Sequence, residues 1–442
     1  MKNICIFFPD KRIGGGPYWL TALARELAKD NNYKIYYIDY KQGFARTLIK
    51  PEDNVTFIDY DAKQRYCLFE EECTLFMPIY DLHRLPIINT KSKILFFNWH
   101  NFCLPALKNS SKFLRYDMNY FLTEVFSHNA QVFLDGAHRN KCNDISGINF
   151  KPDYIPLIMN MKNVEPVKGL INDNEINIAI LGRIVQDKIH SINNVINQAI
   201  KYKTDKKIII HIIGDGDRKK DVKTSVPGNI EIRFCGVIKD KELDEYLLKN
   251  IDILFAMGNS VLNGASVGIP SYIIPSAEYE FNCDKFVFLP ETTDYIAGFY
   301  YNQIKELNLN VVDFETAINN VYANNNKYEL GKKCYDYINQ NFNAVKVCEK
   351  FKEALDNTTL DYTTIGLIKS VQDVKKITKR KLSFKYKILD KIWRYHKKRI
   401  GNFKNIESER PLLYSILNKI ENYLLEKNVI MEDLVDGFKD TK

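Results

Sequence analysis

Apolar residues come along this chain in short runs, separated by longer segments in which they recur every three to four positions. The first run, residues 3–8 (NICIFF), predicts a buried strand. Gly14, Gly15 and Gly16 follow as a turn, Tyr18–Lys29 (YWLTALARELAK) has the spacing of an amphipathic helix, and YKIYYIDY at 33–40 returns to a strand pattern. Strand, glycine loop, helix and strand open a right-handed βαβ unit, which implies a parallel sheet. TLFMPIY (74–80), KILFFNW (93–99) and AQVFLD (130–135) predict further strands of the same sheet.

After a polar interval at Pro166–Glu175 the pattern starts again. Strands are predicted at 176–182 (INIAILG), 207–214 (KIIIHIIG), 230–236 (IEIRFCG), 251–257 (IDILFAM) and 270–275 (PSYIIP), with helical spacing between them. From about Val312 onward the chain turns helical, over Phe314–Tyr322, Tyr328–Asn341 and Ala344–Leu355. The fold class expected is therefore α/β, with two Rossmann-like doubly wound domains facing a cleft. Residues 1–165 form the first domain, 166–358 the second with its closing helices, and 359–442 a helical extension without strand signals. Open α/β sheets bind ligands at the C-terminal ends of their strands, so the glycine loops there are the first candidates for a site.

Composition narrows the class. The chain has 442 residues, enough for two or three cores, and 45% apolar with 27% charged residues is globular rather than disordered. No run of 18 apolar residues and no cleavable leader is visible, which points to a cytoplasmic protein. Nine cysteines, an odd number with no C-x-x-C pair, suggest neither a disulfide framework nor a zinc site. The net charge of +8 is concentrated late: residues 375–399 hold twelve Lys or Arg against one acid, Asp390, interleaved with Leu382, Phe384, Tyr386, Ile388, Leu389, Ile392, Trp393 and Tyr395. That makeup suits a basic amphipathic element lying on an anionic membrane, where each cation contributes about 1 kcal/mol. A solvated helix packed on the protein has the same makeup. Nucleic acid is the least favoured partner.

Chemistry is suggested at four places. Gly15 and Gly16 let backbone amides approach an anion at a helix start, although an ordinary βα turn needs them too. Gly182-Arg183, with Lys188 five residues on, puts two cations at a strand end, where they can neutralise a departing diphosphate. Gly214-Asp215-Gly216 and Gly236-Val237 end two further strands and can fix the edge of a nucleobase. His100, in FFNWHNF, can titrate near neutral pH, and Asp81, Asp135, His138 and Arg139 also follow strands.

The succession GRIVQDK, IIGDGDRKK and IEIRFCGVIKDKELDEYLLKNIDILFAMGNSVLNGASVGIPSYII resembles the donor domain of family-four-like GT-B glycosyltransferases, of the bacterial capsule and surface-polysaccharide type. The likeness covers residues 176–275 well and 14–29 loosely. It implies a UDP- or GDP-linked sugar as donor, with Arg183 and Lys188 on the diphosphate and the loops at 214–216 and 236–237 on the base. It also implies that residues 1–165 bind the acceptor and 166–358 the nucleotide-sugar donor, that no metal or cofactor is bound, and that His100 lies near the transferred sugar. Such enzymes usually carry two glutamates eight residues apart before G-x-P; here Phe255 and Asn263 stand at those positions. Gly258, Asn259 and Ser260 resemble instead a Gly-Ser turn that offers amides and a hydroxyl to the phosphates, leaving Asn263 to meet a ribose hydroxyl. The expected function is sugar transfer to a cell-surface glycan or polyprenyl-linked acceptor. A nucleotide-sugar epimerase of the same fold and a non-catalytic nucleotide-sugar-binding scaffold are the alternatives.

Overall fold

Strand β8 (Lys207–Ile213, KIIIHII) has six of its seven residues buried, as a strand covered by helices on both faces requires. It belongs to one of two six-stranded sheets in a computed structural model, which describes residues 1–367 except 13, 63–65, 101–102, 108–117, 163, 165, 167, 278 and 323–325. The predicted basic element at 375–399 and the closing helical stretch after it lie outside the described residues. Among those described, no helix is long and apolar enough to cross a membrane.

The first sheet contains β1 (Lys2–Phe7), β2 (Tyr33–Asp39), β3 (Val55–Asp59), β4 (Thr74–Pro78), β5 (Lys93–Asn98) and β6 (Gln131–Phe133), all parallel, in the order β3-β2-β1-β4-β5-β6. Helices α1 (Gly15–Leu27), α2 (Met118–Ser127) and α3 (Gly136–Ser146) accompany it. The second contains β7 (Glu175–Leu181), β8, β9 (Ile230–Gly236), β10 (Ile253–Ala256), β11 (Ser271–Ile273) and the short antiparallel β13 (Val287–Phe288), in the order β13-β11-β10-β7-β8-β9. Strands β12 (Pro275–Ser276) and β14 (Phe299–Tyr300) pair separately. Helices α4 (Gln186–Lys201), α5 (Asp240–Asn250), α6 (Asn259–Ser266), α7 (Phe314–Tyr322) and α8 (Lys327–Asn341) complete that body.

Counted from its own first strand, each sheet has the order 3-2-1-4-5-6, the arrangement of doubly wound nucleotide-binding folds. The predicted pair of Rossmann-like sheets is therefore present. Strand β4 stops at Pro78, two residues before the apolar run ends, because Ile79–Arg84 coil into a 3-10 turn.

After α8 the chain crosses back to the first domain. Helix α9 (Ala344–Asn357) packs on α1, with Phe351 4.6 Å from Phe76 between ring centroids and Lys352 paired with Asp30 at 2.5 Å. Thr358 Oγ donates to the carbonyl of Ile94, and α10 (Tyr362–Leu367) starts where Tyr362 N–H bonds to Ser92 O. The closing helices, grouped by sequence with the second domain, are thus shared between the two bodies. The outward and return crossings lie together: Met159 N–H donates to Phe342 O at 2.8 Å and Ala344 N–H to Met159 O at 3.2 Å.

The second core carries a titratable group in mid-strand. His211 is 1% exposed, bonds through Nδ1 to Tyr246 OH at 2.8 Å, and is held by burial at a pKa of about 4 against an ordinary 6.5. The unfolded chain thus takes up a proton that the native one refuses, so stability falls as the pH drops from 6.5 towards 4. Asp39, raised by burial to about 6, acts in the opposite sense over 6 to 3.8, which makes a variant comparison necessary. His211→Gln is expected to show a smaller loss of melting temperature between pH 7 and pH 5 than wild type. Parallel slopes would refute the assignment.

Candidate functional site

In a 3-2-1-4-5-6 sheet the connections after strands 1 and 4 leave on opposite faces and open a crevice between them. In the second sheet those strands are β7 and β10, and the residues leaving them are Gly182-Arg183 and Gly258-Asn259-Ser260. The two turns converge. A Cβ built on Gly182, whose φ is +153°, would lie 3.7 Å from Ser260 Oγ and 3.8 Å from Lys188 Nζ, so an ammonium and a hydroxyl stand over a bare backbone floor. A recess lined by Gly182, Arg183, Lys188, Ile192, Met257 and Ile274 opens there.

Its electrostatics favour an anion. Arg183 is exposed and Lys188 half-buried, and neither forms an ion pair among the described residues. Burial is the main force holding the Lys188 ammonium below its ordinary pKa; Asp187 opposes the shift and Arg183 adds to it. A desolvated ammonium beside a guanidinium gains most from a ligand carrying two or more negative charges. Helices α4 and α6 both start at this recess, at Val185 and Gly258, with no side-chain cap, so their first amides remain available to such a ligand. Gly258 itself has φ +58°, ψ −137°, a conformation that glycine alone adopts readily, and its N–H is tied to Ala297 O at 2.7 Å.

The first domain meets this recess through the other glycine loop. A Cβ on Gly15 would lie 3.8 Å from Asn259 Nδ2, so the start of α1 faces the start of α6 across the cleft. Gly16 answers to packing: its Cβ would come within 2.8 Å of the Phe8 ring and 3.3 Å of Trp99. Gly214 and Gly216 likewise serve close approach of backbones, since their Cβ atoms would lie 1.9 Å from Gly182 O and 2.2 Å from Ile184 O. The loops after β7, β8 and β9 are laced together by Gly182 N–H to Ile213 O, Ile184 N–H to Asp215 O and Gly214 N–H to Gly236 O. Gly236, at φ +69°, has open space beside it, and Val237 and Phe234 are 60% and 39% exposed, leaving an apolar face at this end of the cleft.

His100 follows β5, half-buried beside Trp99, with its ring centroid 6.5 Å from that of His138. Burial first, and His138 second, lower its pKa to about 4, so at neutral pH it hydrogen-bonds as a neutral imidazole. His138 Nδ1 contacts Asp135 Oδ1 at 2.5 Å, and Asp135 also caps α3 by accepting from His138 N–H. Next to it, Gly136 N–H donates to Asp294 O of the second domain at 2.8 Å, so this cluster lies where the two bodies touch. Asp81 faces Arg84 with both oxygens at 3.2 Å and is 2% exposed, a structural pair at the corresponding switch point of the first sheet.

Phe255, at the position of the first missing glutamate, lies in the core of β10, stacked between Tyr272 and Phe314 at 5.7 and 5.5 Å. Asn263, at the second, is half-buried on α6, one turn beyond Asn259. Ala297 and Gly298, which support Gly258 from behind, were not singled out in the sequence, because their role is a contact 40 residues away that no local pattern marks. Among the described residues, no group of three or more His, Cys, Asp or Glu is arranged to hold a metal ion.

No protein-family model matches the chain, and no curated protein does. Among solved structures the chain is similar to HepE of Anabaena, solved with UDP and glucose, at 9% identity and a TM-score of 0.49 over 80% of this chain and 100% of that one. It is also similar to the lipopolysaccharide outer core galactosyltransferase WaaB (13% identity, TM-score 0.41, 80% and 99%). A third is the N-terminal domain of trehalose-6-phosphate phosphatase from Candida albicans (10%, 0.48, 81% and 97%).

Proposed function

We propose that the chain is a glycosyltransferase that moves a sugar from a nucleoside-diphosphate donor to an acceptor hydroxyl. The observation that carries this reading is the convergence of Lys188 Nζ and Ser260 Oγ over Gly182, at the switch point of the second sheet and opposite Gly15 of the first. Transfer breaks the bond from the anomeric carbon to the β-phosphate oxygen, whose electron pair stays with the diphosphate, while the acceptor oxygen bonds to that carbon and gives up its proton to the freed diphosphate oxygen or to water. Arg183, Lys188 and the free amides of α6 would stabilise the charge that develops on the diphosphate, and they do so without reorganising. Gly236-Val237 and Phe234 would receive the base, and neutral His100 would hydrogen-bond the sugar from the first domain. The proposed donor is UDP- or GDP-linked and the acceptor a cell-surface glycan, free or lipid-linked, with residues 375–399 supplying charge for an anionic surface.

Calorimetry of the full chain against UDP-, GDP-, CMP- and ADP-sugars tests the reading. Binding of one donor class, with release of its nucleotide when acceptor is added, is the expected result; no binding of any donor sinks it. Asn263 favours a second reading, a binding scaffold without turnover, because a neutral amide holds a ribose hydroxyl less strongly than a carboxylate. Asn263→Glu separates the two. It is expected to raise turnover several-fold in a transferase, whereas a scaffold stays silent in both forms.

A further inference from the structure

Two segments leave the phosphate recess side by side. Ile274 lines the recess with Arg183 and Lys188, and the next two residues form β12, which pairs in parallel with β14 through Pro275–Phe299 and Ser276–Tyr300. Strand β14 in turn follows Gly298, whose Cβ position lies 3.9 Å from Gly258 N. Just beyond their strands both segments present aromatic rings that meet. Tyr279 OH and Tyr301 OH are 2.6 Å apart, their rings stand edge to face at 5.9 Å, and Phe281 stacks on Tyr301 at 5.4 Å and 26°. Tyr279 is 55% exposed, and the exposed carboxylate of Glu280 is its neighbour in the chain.

The ledge is held firmly. Ser276 Oγ donates to Asp187 O at the first turn of α4; Asn194 and Cys283 exchange bonds of 2.8 and 2.9 Å; Gln198 and Lys201 both donate to Asn282 Oδ1. An aromatic surface kept in water by so many anchors is pre-organised, which is how a binding surface limits its ordering cost. The ledge begins where the recess ends: Ile274 and Gly298 carry the two segments past the cations and Gly258, and Ser276 meets the first turn of α4. A sugar attached to a diphosphate in the recess therefore has the ledge as a neighbouring surface. Tyr279 is too open to shelter the reacting centre from water, but it suits a chain that must run out of the cleft.

We propose that Tyr279, Phe281 and Tyr301 form an acceptor subsite that receives a pyranose ring of the acceptor glycan, with the apolar face of the sugar on the Tyr279 ring and its hydroxyls on the paired phenols and Glu280. The proposal rests on the transferase reading for its orientation, but its test needs no donor. The full chain is applied to an array of immobilised oligosaccharides without nucleotide, and binding is compared for wild type, Tyr279→Ala and Tyr279→Phe, each checked for an unchanged melting temperature. Loss of a stacked ring is expected to weaken glycan binding roughly tenfold in Tyr279→Ala, while Tyr279→Phe stays within about threefold of wild type. Calorimetry with the donor sugar should be unchanged by either. Glycan binding that survives Tyr279→Ala, or a wild type that binds no glycan on the array, overturns the subsite. Donor affinity that falls in Tyr279→Ala as it does in Arg183→Ala overturns it as well, since the ring would then belong to the donor. A wild type that binds glycans through Tyr279 but no nucleotide sugar would leave the subsite standing and remove the transferase reading alone.

Discussion

Arg183→Ala is expected to lower kcat/KM for sugar transfer by roughly 10²- to 10³-fold, the usual cost of removing one preorganised group that meets developing charge. Arg183 stands exposed at the mouth of the recess with no ion pair among the described residues, so its removal strands no partner and the fold should be untouched. Lys188→Ala is expected to lose at least as much. Its ammonium lies over Gly182, already desolvated and held below its ordinary pKa by burial, so its gain on meeting the diphosphate is larger than that of a hydrated cation. If both cations act mainly on the leaving group, the loss falls on kcat more than on KM. Equal losses in donor affinity and kcat/KM would instead mean that they hold ground and transition states alike. A change of less than about threefold in kcat/KM for both variants would sink the placement of the diphosphate.

The two-sheet architecture is legible from the chain because fully buried parallel strands read as nearly continuous apolar runs, as 176–182 and 207–214 do apart from Asn177, Lys207 and His211. Strand β3 escapes the same pattern: VTFID lies at the sheet edge with no residue buried, so nothing forces its composition. The candidate site was legible only as types of residue. Gly182, Gly214, Gly216 and Gly258 all read as ligand-loop glycines, yet the structure gives Gly214 and Gly216 the task of letting three backbones pass within touching distance, and leaves Gly182 and Gly258 bordering the recess. Sequence distinguishes a glycine needed for a neighbour from one needed for a ligand only when the neighbour is local, and here it lies about 30 residues away. The pairing of Tyr279 with Tyr301 and the return of α9 to the first sheet are hidden for the same reason. Phe255, by contrast, is explained at once by its place in a core that has no room for charge.

Lys327→Met is expected to destabilise the second domain by about 3–5 kcal/mol, a large part of the 5–15 kcal/mol that holds a typical domain together. Lys327 is 1% exposed at the start of α8, and its Nζ lies 2.8 Å from Asp252 Oδ1, whose side chain is fully buried. Asp252 also accepts from Ile171 N–H at 2.9 Å, Tyr322 OH at 2.9 Å and Asn177 Nδ2 at 3.2 Å. One carboxylate thus fastens the interval before β7, β7 itself, α7 and α8 to the N-terminal end of β10. Taking away the ammonium leaves a buried charge with neutral donors only, whereas Lys327→Met combined with Asp252→Asn removes both charges and should recover much of the loss. Urea unfolding midpoints of wild type, the single variant and the double variant measure this. The network grips β10 at the end away from Gly258, so donor affinity in the folded fraction should stay within about threefold of wild type, a margin well under 1 kcal/mol. A single variant that costs less than about 1 kcal/mol would mean that the pair is solvated rather than buried.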